Sequence, residues 1–172
     1  MKDRLDALEI ALTNELREHE FYKLNAERTD NPLGKAMFEA IAKEEMEHYE
    51  RLKQIQEVWS KNNSWPETIP LKVNKTNVQN VLQDVLQKVA EAPHVDMDDL
   101  EAVRTAIAFE CDGVMYYELM KQSSTEPNEK AFFNLLANIE HEHYVSLKDT
   151  EELMVDPAAW YRLRERGGLD GA

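Results

Sequence analysis

Apolar residues recur at three- and four-residue spacing along four long stretches of the chain, which predicts four amphipathic helices. The first covers residues 2–28 and stops at "TDNP". The second opens after Pro32 and runs to about residue 60, where "KNNSWPETIP" breaks it. The third begins near "VDMDDLEAV", with Asp96 or Asp98 as the expected N-cap, and reaches "KQSSTEPN". The fourth covers about 128–154 and ends at "VDP". Helices this long suit a bundle, because each needs partners along its whole apolar stripe.

The connections restrict how such helices pack. Short turns holding Pro32 and Pro127 join the first helix to the second and the third to the fourth, so each pair is expected to form an antiparallel hairpin. Residues 61–97 are too many for a turn, and "NKTNVQNVLQDVLQKVAEA" within them has helical periodicity. A long crossover containing a short helix is therefore expected, giving an all-α four-helix bundle. The domain expected is 1–155, followed by a tail at 156–172. The hairpins also repeat one another without a gap at the spacing that carries Glu15 to Glu110, 95 positions on. Tyr22 then falls on Tyr117, Pro32 on Pro127, Phe38 on Phe133, Glu45 on Glu140 and His48 on His143. Such a duplication predicts pseudo-twofold symmetry.

The polar residues this repeat preserves lie on the apolar faces. Residues three apart on a helix share a face, so Glu45 and His48 point with Phe38, Ile41 and Leu52. Likewise Glu140 and His143 point with Phe133, Leu136 and Leu147. Glu15 lies on the stripe of Leu8, Leu12 and Tyr22, and Glu110 on that of Val103, Ile107 and Tyr117. Four carboxylates in a dry core would take up protons unless cations neutralised them. Two divalent cations match four glutamates in charge, and two neutral imidazoles complete the donors. Oxygen and imidazole donors together suit iron or manganese, and zinc also binds such sets. A lone ExxH on a helix usually marks a solvated face; two at equal offsets, each with a core-facing glutamate in the preceding helix, point to a dinuclear metal site.

Composition narrows the function classes. The net charge of −14 argues against nucleic acid or an anionic membrane as partner. One cysteine, Cys111, rules out an internal disulfide and any CxxC pair. No apolar run reaches 18 residues, and "MKDRLDALEIAL" lacks the apolar core of a signal peptide, so a cytoplasmic protein is expected.

The segments "NELREHEFY", "FECDGVMYY", "EEMEHYERL" and "IEHEHYVSL" resemble the rubrerythrin branch of the ferritin-like superfamily, a likeness that covers nearly the whole chain. It implies a ferritin-like bundle in which Glu15, Glu45, His48, Glu110, Glu140 and His143 hold two iron ions. By the same resemblance Tyr22 and Tyr117 hydrogen-bond to ligand carboxylates; read from the residues alone, they serve equally well as core fillers with a wet hydroxyl. The resemblance further implies a homodimer and a non-haem di-iron oxidoreductase that reduces hydrogen peroxide or dioxygen. Two departures stand out. Rubrerythrins proper carry a rubredoxin-like domain with paired CxxC motifs, which these residues lack, so electrons are expected from a separate donor such as a rubredoxin-like protein. They also add a carboxylate one turn after the third-helix ligand, where this chain has Gly113; the mirrored position is Glu18, for which a surface glutamate is the simpler reading and an extra ligand the alternative.

Two further functions fit the same donors: a ferroxidase or iron-handling protein with Fe(II) as substrate, and a non-catalytic, metal-stabilised bundle. Among other residues, His19, His94 and His141 are expected at the surface, and Glu47 and Glu142 in solvent. Cys111 reads as a small buried hydrophobe, and Glu44 as a residue placed to orient an imidazole. Trp160, Tyr161 and Leu163 read as exposed on a tail that docks on the bundle or on a second subunit.

Overall fold

The computed structural model describes residues 2–67, 76–88 and 97–167, and among these the regular structure is helical throughout. Six helices follow in order: α1 (Lys2–Arg28), α2 (Pro32–Asn62), α3 (Val78–Lys88), α4 (Met97–Ser123), α5 (Pro127–Val155) and α6 (Pro157–Gly167). The four long helices and the short crossover helix fall where the apolar periodicity puts them. Pro32 and Pro127 each open a helix, where the missing N–H costs nothing and the fixed φ is already helical. The N-cap of α2 is Asn31, whose side chain accepts from Leu33 N and Gly34 N at 3.0 Å each. Asn63 closes α2 in the left-handed region, at φ 50°, with its N–H on the Trp59 carbonyl. Of the two caps expected for α4, Asp98 lies inside the first turn, and Asp96 falls outside the described residues.

α1 pairs with α2 and α4 with α5, and the hairpins close on each other through two apolar clusters. One cluster gathers Tyr22, Phe38 and Ile41 with Val103, Ala106 and Leu147. The other gathers Leu8, Leu52 and Ile55 with Tyr117, Phe133 and Leu136. Along every long helix the chain passes from one cluster to the other, and at each crossing stands a glutamate or an ExxH pair. Burying residues such as Phe38, Phe133 and Leu52 contributes about 1.5–3 kcal/mol apiece. That packing holds the polar layer between the clusters in place. Val78 and Leu82 tie α3 into the first cluster, and Arg28 at the end of α1 reaches Asp99 at the start of α4 (3.5 Å).

The tail differs from expectation at one residue. Trp160 is buried in the first cluster, and its Nε1 donates to Asp149 Oδ1 at 2.9 Å, so α6 docks on α5. Tyr161 and Leu163 are exposed. Asp156 separates the two helices, its N–H on the Glu152 carbonyl and its carboxylate accepting from Ala159 N.

Candidate metal centre

Between the two apolar clusters the four long helices bring Glu15, Glu45, His48, Glu110, Glu140 and His143 together, each no more than 1% exposed. The spacing explains the convergence: the ExxH pairs of α2 and α5 put carboxylate and imidazole on successive turns of one face. α1 and α4 contribute one glutamate each from the facing side. His48 Nδ1 lies 3.0 Å from Glu45 Oε2, 3.1 Å from Glu15 Oε2 and 3.4 Å from Glu140 Oε1. His143 Nδ1 lies 3.2 Å from Glu45 Oε1 and 3.5 Å from both Glu110 Oε2 and Glu140 Oε2. The two imidazole rings face each other, 6.1 Å between centroids and 21° from parallel.

These donors fall into two groups of four: Glu15, Glu45, His48 and Glu140 in one, and Glu45, Glu110, Glu140 and His143 in the other. Within each group one donor atom per residue lies within 4.8 Å of the others. Glu45 and Glu140 belong to both. Several of these atoms are buried without a hydrogen-bond partner: Glu45 Oε1, Glu110 Oε2, both Glu140 oxygens and His143 Nδ1. Buried polar atoms rarely go unsatisfied, and orphans concentrated at one spot, all lone-pair donors, suit a pair of cations.

The electrostatics carry the same message. Burial, reinforced by the neighbouring carboxylates, pushes Glu15 and Glu110 well above the usual carboxyl range although the imidazoles pull the other way. Burial also acts on Glu45 and Glu140, but His48 and His143 outweigh it and hold both below that range. Desolvation disfavours a charged imidazole, yet the surrounding carboxylates raise both histidines well above their ordinary value. Free of metal, burial thus favours protons on Glu15 and Glu110, and the carboxylates favour protons on both rings. Divalent cations among the same donors would offset the same crowding of negative charge.

Two tyrosines brace the layer from across the bundle. The Tyr22 hydroxyl of α1 donates to Glu110 of α4, and Tyr117 of α4 donates to Glu15 of α1. Both rings are buried, 0% and 2% exposed, so the hydroxyls are not wet. Glu44 reaches His143: its Oε2 lies 2.8 Å from Nε2, and its Oε1 accepts from Asn77 N at 2.9 Å.

Four readings of single residues change, at Glu18, Cys111, His19 and Glu47. Glu18 is not a surface glutamate: it lies one turn beyond Glu15 on the same face, is 4% exposed, and burial together with the Glu15 charge pushes its carboxyl up to about 11. The i, i+3 relation that placed the histidines was sufficient to find it. Cys111 is exposed, because one residue past Glu110 turns it out of the bundle. His19 is half-buried, with Nδ1 2.6 Å from the Ala42 carbonyl. His141 and Glu142 are exposed, whereas Glu47 is half-buried; His94 lies outside the described residues.

Helices, duplication and the buried carboxylate–histidine cluster define a ferritin-like bundle. A family model described as Rubrerythrin matches residues 6–98, more than half of the 172-residue chain. The protein belongs to the rubrerythrin family. Comparison with curated proteins and with solved structures finds no match. The family model covers α1 to α3 and the opening of α4, and the internal repeat extends the same motif to the second hairpin. Family and cluster together fit a di-iron protein, and no described helix is long and apolar enough to cross a membrane.

Proposed function

We propose that this protein is a non-haem di-iron oxidoreductase that reduces hydrogen peroxide, or dioxygen, with electrons from a separate donor such as a rubredoxin-like protein. The observation that carries the reading is the pair of four-donor groups sharing Glu45 and Glu140, buried at the centre of the bundle. Glu15 and His48 complete one position, and Glu110 and His143 the other. When bound, two ferrous ions supply one electron each, the two needed to convert hydrogen peroxide and two protons into two waters.

The chain's own residues do the rest. Tyr22 and Tyr117 hold Glu110 and Glu15 in place, each bond tying one hairpin's carboxylate to the other hairpin. The apolar clusters on either side exclude water from the donors, which strengthens every charge interaction among them. Glu18 holds a proton on a carboxyl buried beside the donor set. The protein acts in the cytoplasm as a homodimer in this reading.

Anaerobic protein loaded with two Fe(II) per chain and mixed with peroxide provides the test. The expected result is ferric absorbance rising at one peroxide per two irons, followed by repeated turnover when reduced rubredoxin is supplied. Irons that stay ferrous on a catalytic timescale would overturn it. Fe(II) oxidised as a consumed substrate, with no re-reduction by the donor, would instead favour a ferroxidase, a role that the −14 charge assists by concentrating cations.

A further inference from the structure

The repeat makes one difference behind the histidines informative. Glu44, on the turn preceding His48 in sequence, reaches across to the other hairpin's ring and accepts from His143 Nε2. It is itself held by the backbone N–H of Asn77, next to the start of the crossover helix. At the position 95 residues on from Glu44 stands Ile139, 3% exposed and packed into the second apolar cluster. It has no acceptor to offer. His48 Nε2 is accordingly buried without a hydrogen-bond partner.

Both rings turn Nδ1 toward the carboxylates. A carboxylate that accepts Nε2–H fixes the tautomer whose Nδ1 lone pair faces the metal position, and it makes that nitrogen the better donor. His143 has this support and His48 does not. Glu18 belongs to neither four-donor group. Resting on the dinuclear reading above, we infer that the two metal positions are unequal: the first ion enters at Glu45, Glu110, Glu140 and His143, and Glu44 is the positioning residue that sets this order.

Stepwise binding alone would not prove the point, since two equal positions that share carboxylates also fill in steps through charge repulsion. The test must therefore say which position fills. Crystals of the full chain grown with one equivalent of Co(II) are expected to show anomalous scattering beside His143. Calorimetric titration with Co(II) should then find two ions per chain. Glu44→Gln should weaken the first step about 10- to 100-fold and shift the anomalous scattering at one equivalent from His143 toward His48, a redistribution that a purely structural role for Glu44 would not produce. His48→Ala should keep the tight step, and His143→Ala should lose it. Equal occupancy at one equivalent in the wild type, a wild-type first ion beside His48, or an unchanged first step in Glu44→Gln would overturn the inference and leave a dinuclear centre standing. Wild-type protein that binds no Co(II) would overturn the dinuclear reading as well.

Discussion

The two hairpins are copies that agree in the layer holding the metal donors and diverge just outside it. Glu15, Tyr22, Phe38, Glu45 and His48 of the first recur as Glu110, Tyr117, Phe133, Glu140 and His143 of the second, and all ten are buried. Glu18 of the first corresponds to Gly113 of the second, and Glu44 corresponds to Ile139. At Gly113 a Cβ would sit 3.3 Å from Glu140 Cγ, so this glycine lets Glu140 lie close against α4. Asn31 caps α2 with its side chain, while Glu126 at the same place before α5 makes no such bond. The lesson is that the two hairpins keep the inward-facing carboxylates and imidazoles in common, whereas the residues behind them can make the two halves of the cluster different.

The shared carboxylates give the largest expected effect. Glu45→Ala or Glu140→Ala removes a donor from both positions and should lower affinity for both ions by more than about 100-fold. Glu15→Gln or Glu110→Gln should leave one ion bound. Elemental analysis after dialysis distinguishes the cases, and two ions retained in Glu45→Ala would break the sharing inferred from the geometry.

Metal removal should come next. At a thousandfold excess over Kd each ion stabilises the fold by ~4 kcal/mol, so chelation should lower Tm by roughly 10 °C or more for a chain of this size. The pH dependence has a definite sign. In the metal-free folded protein burial raises Glu15, Glu18 and Glu110, and the surrounding carboxylates raise His48 and His143. Its stability should therefore fall as pH rises from the ordinary carboxyl range through the imidazole range, by up to about 1.4 kcal/mol per pH unit for each proton that folding retains. Ions must displace protons from the donor residues among these, so metal affinity should rise with pH. A pH-stat should record protons released on binding. No proton release would contradict this displacement.

Tyr22→Phe and Tyr117→Phe sharpen the symmetry itself. Each deletes one hydroxyl from a carboxylate of the opposite hairpin, a loss of about 1–3 kcal/mol in denaturant unfolding. Similar values would show that the braces are equivalent. The smallest effect belongs to the caps: Asn31→Ala should cost about 1 kcal/mol, and Glu126→Ala should change urea stability by only a few tenths.

Much of this architecture was readable from letter order. Apolar spacing located the four long helices to within a few residues, since a 3.6-residue period imposed over 27 to 31 residues leaves little room for another structure. The repeat located the six residues that meet at the centre of the bundle, because core-facing glutamates are too costly to be copied without a partner. Single residues off the repeat were harder. Cys111 is exposed because its place one residue past Glu110 turns it outward, and Trp160 is buried because α6 turns back onto α5 at Asp156, a bend that periodicity within either helix does not specify. Glu18 was read as a surface glutamate although its three-residue spacing to Glu15 puts it on the same inward face.

Chain order thus settled that there would be helices, that they would come as two like hairpins, and which carboxylates and imidazoles would face inward, because periodicity and burial cost are local properties. It left open which tyrosine would brace which glutamate, and that Glu44 would reach His143 while His48 went without support. Those pairings join residues about 90 to 100 positions apart. They exist only once the hairpins have packed, when distance in space replaces distance along the chain.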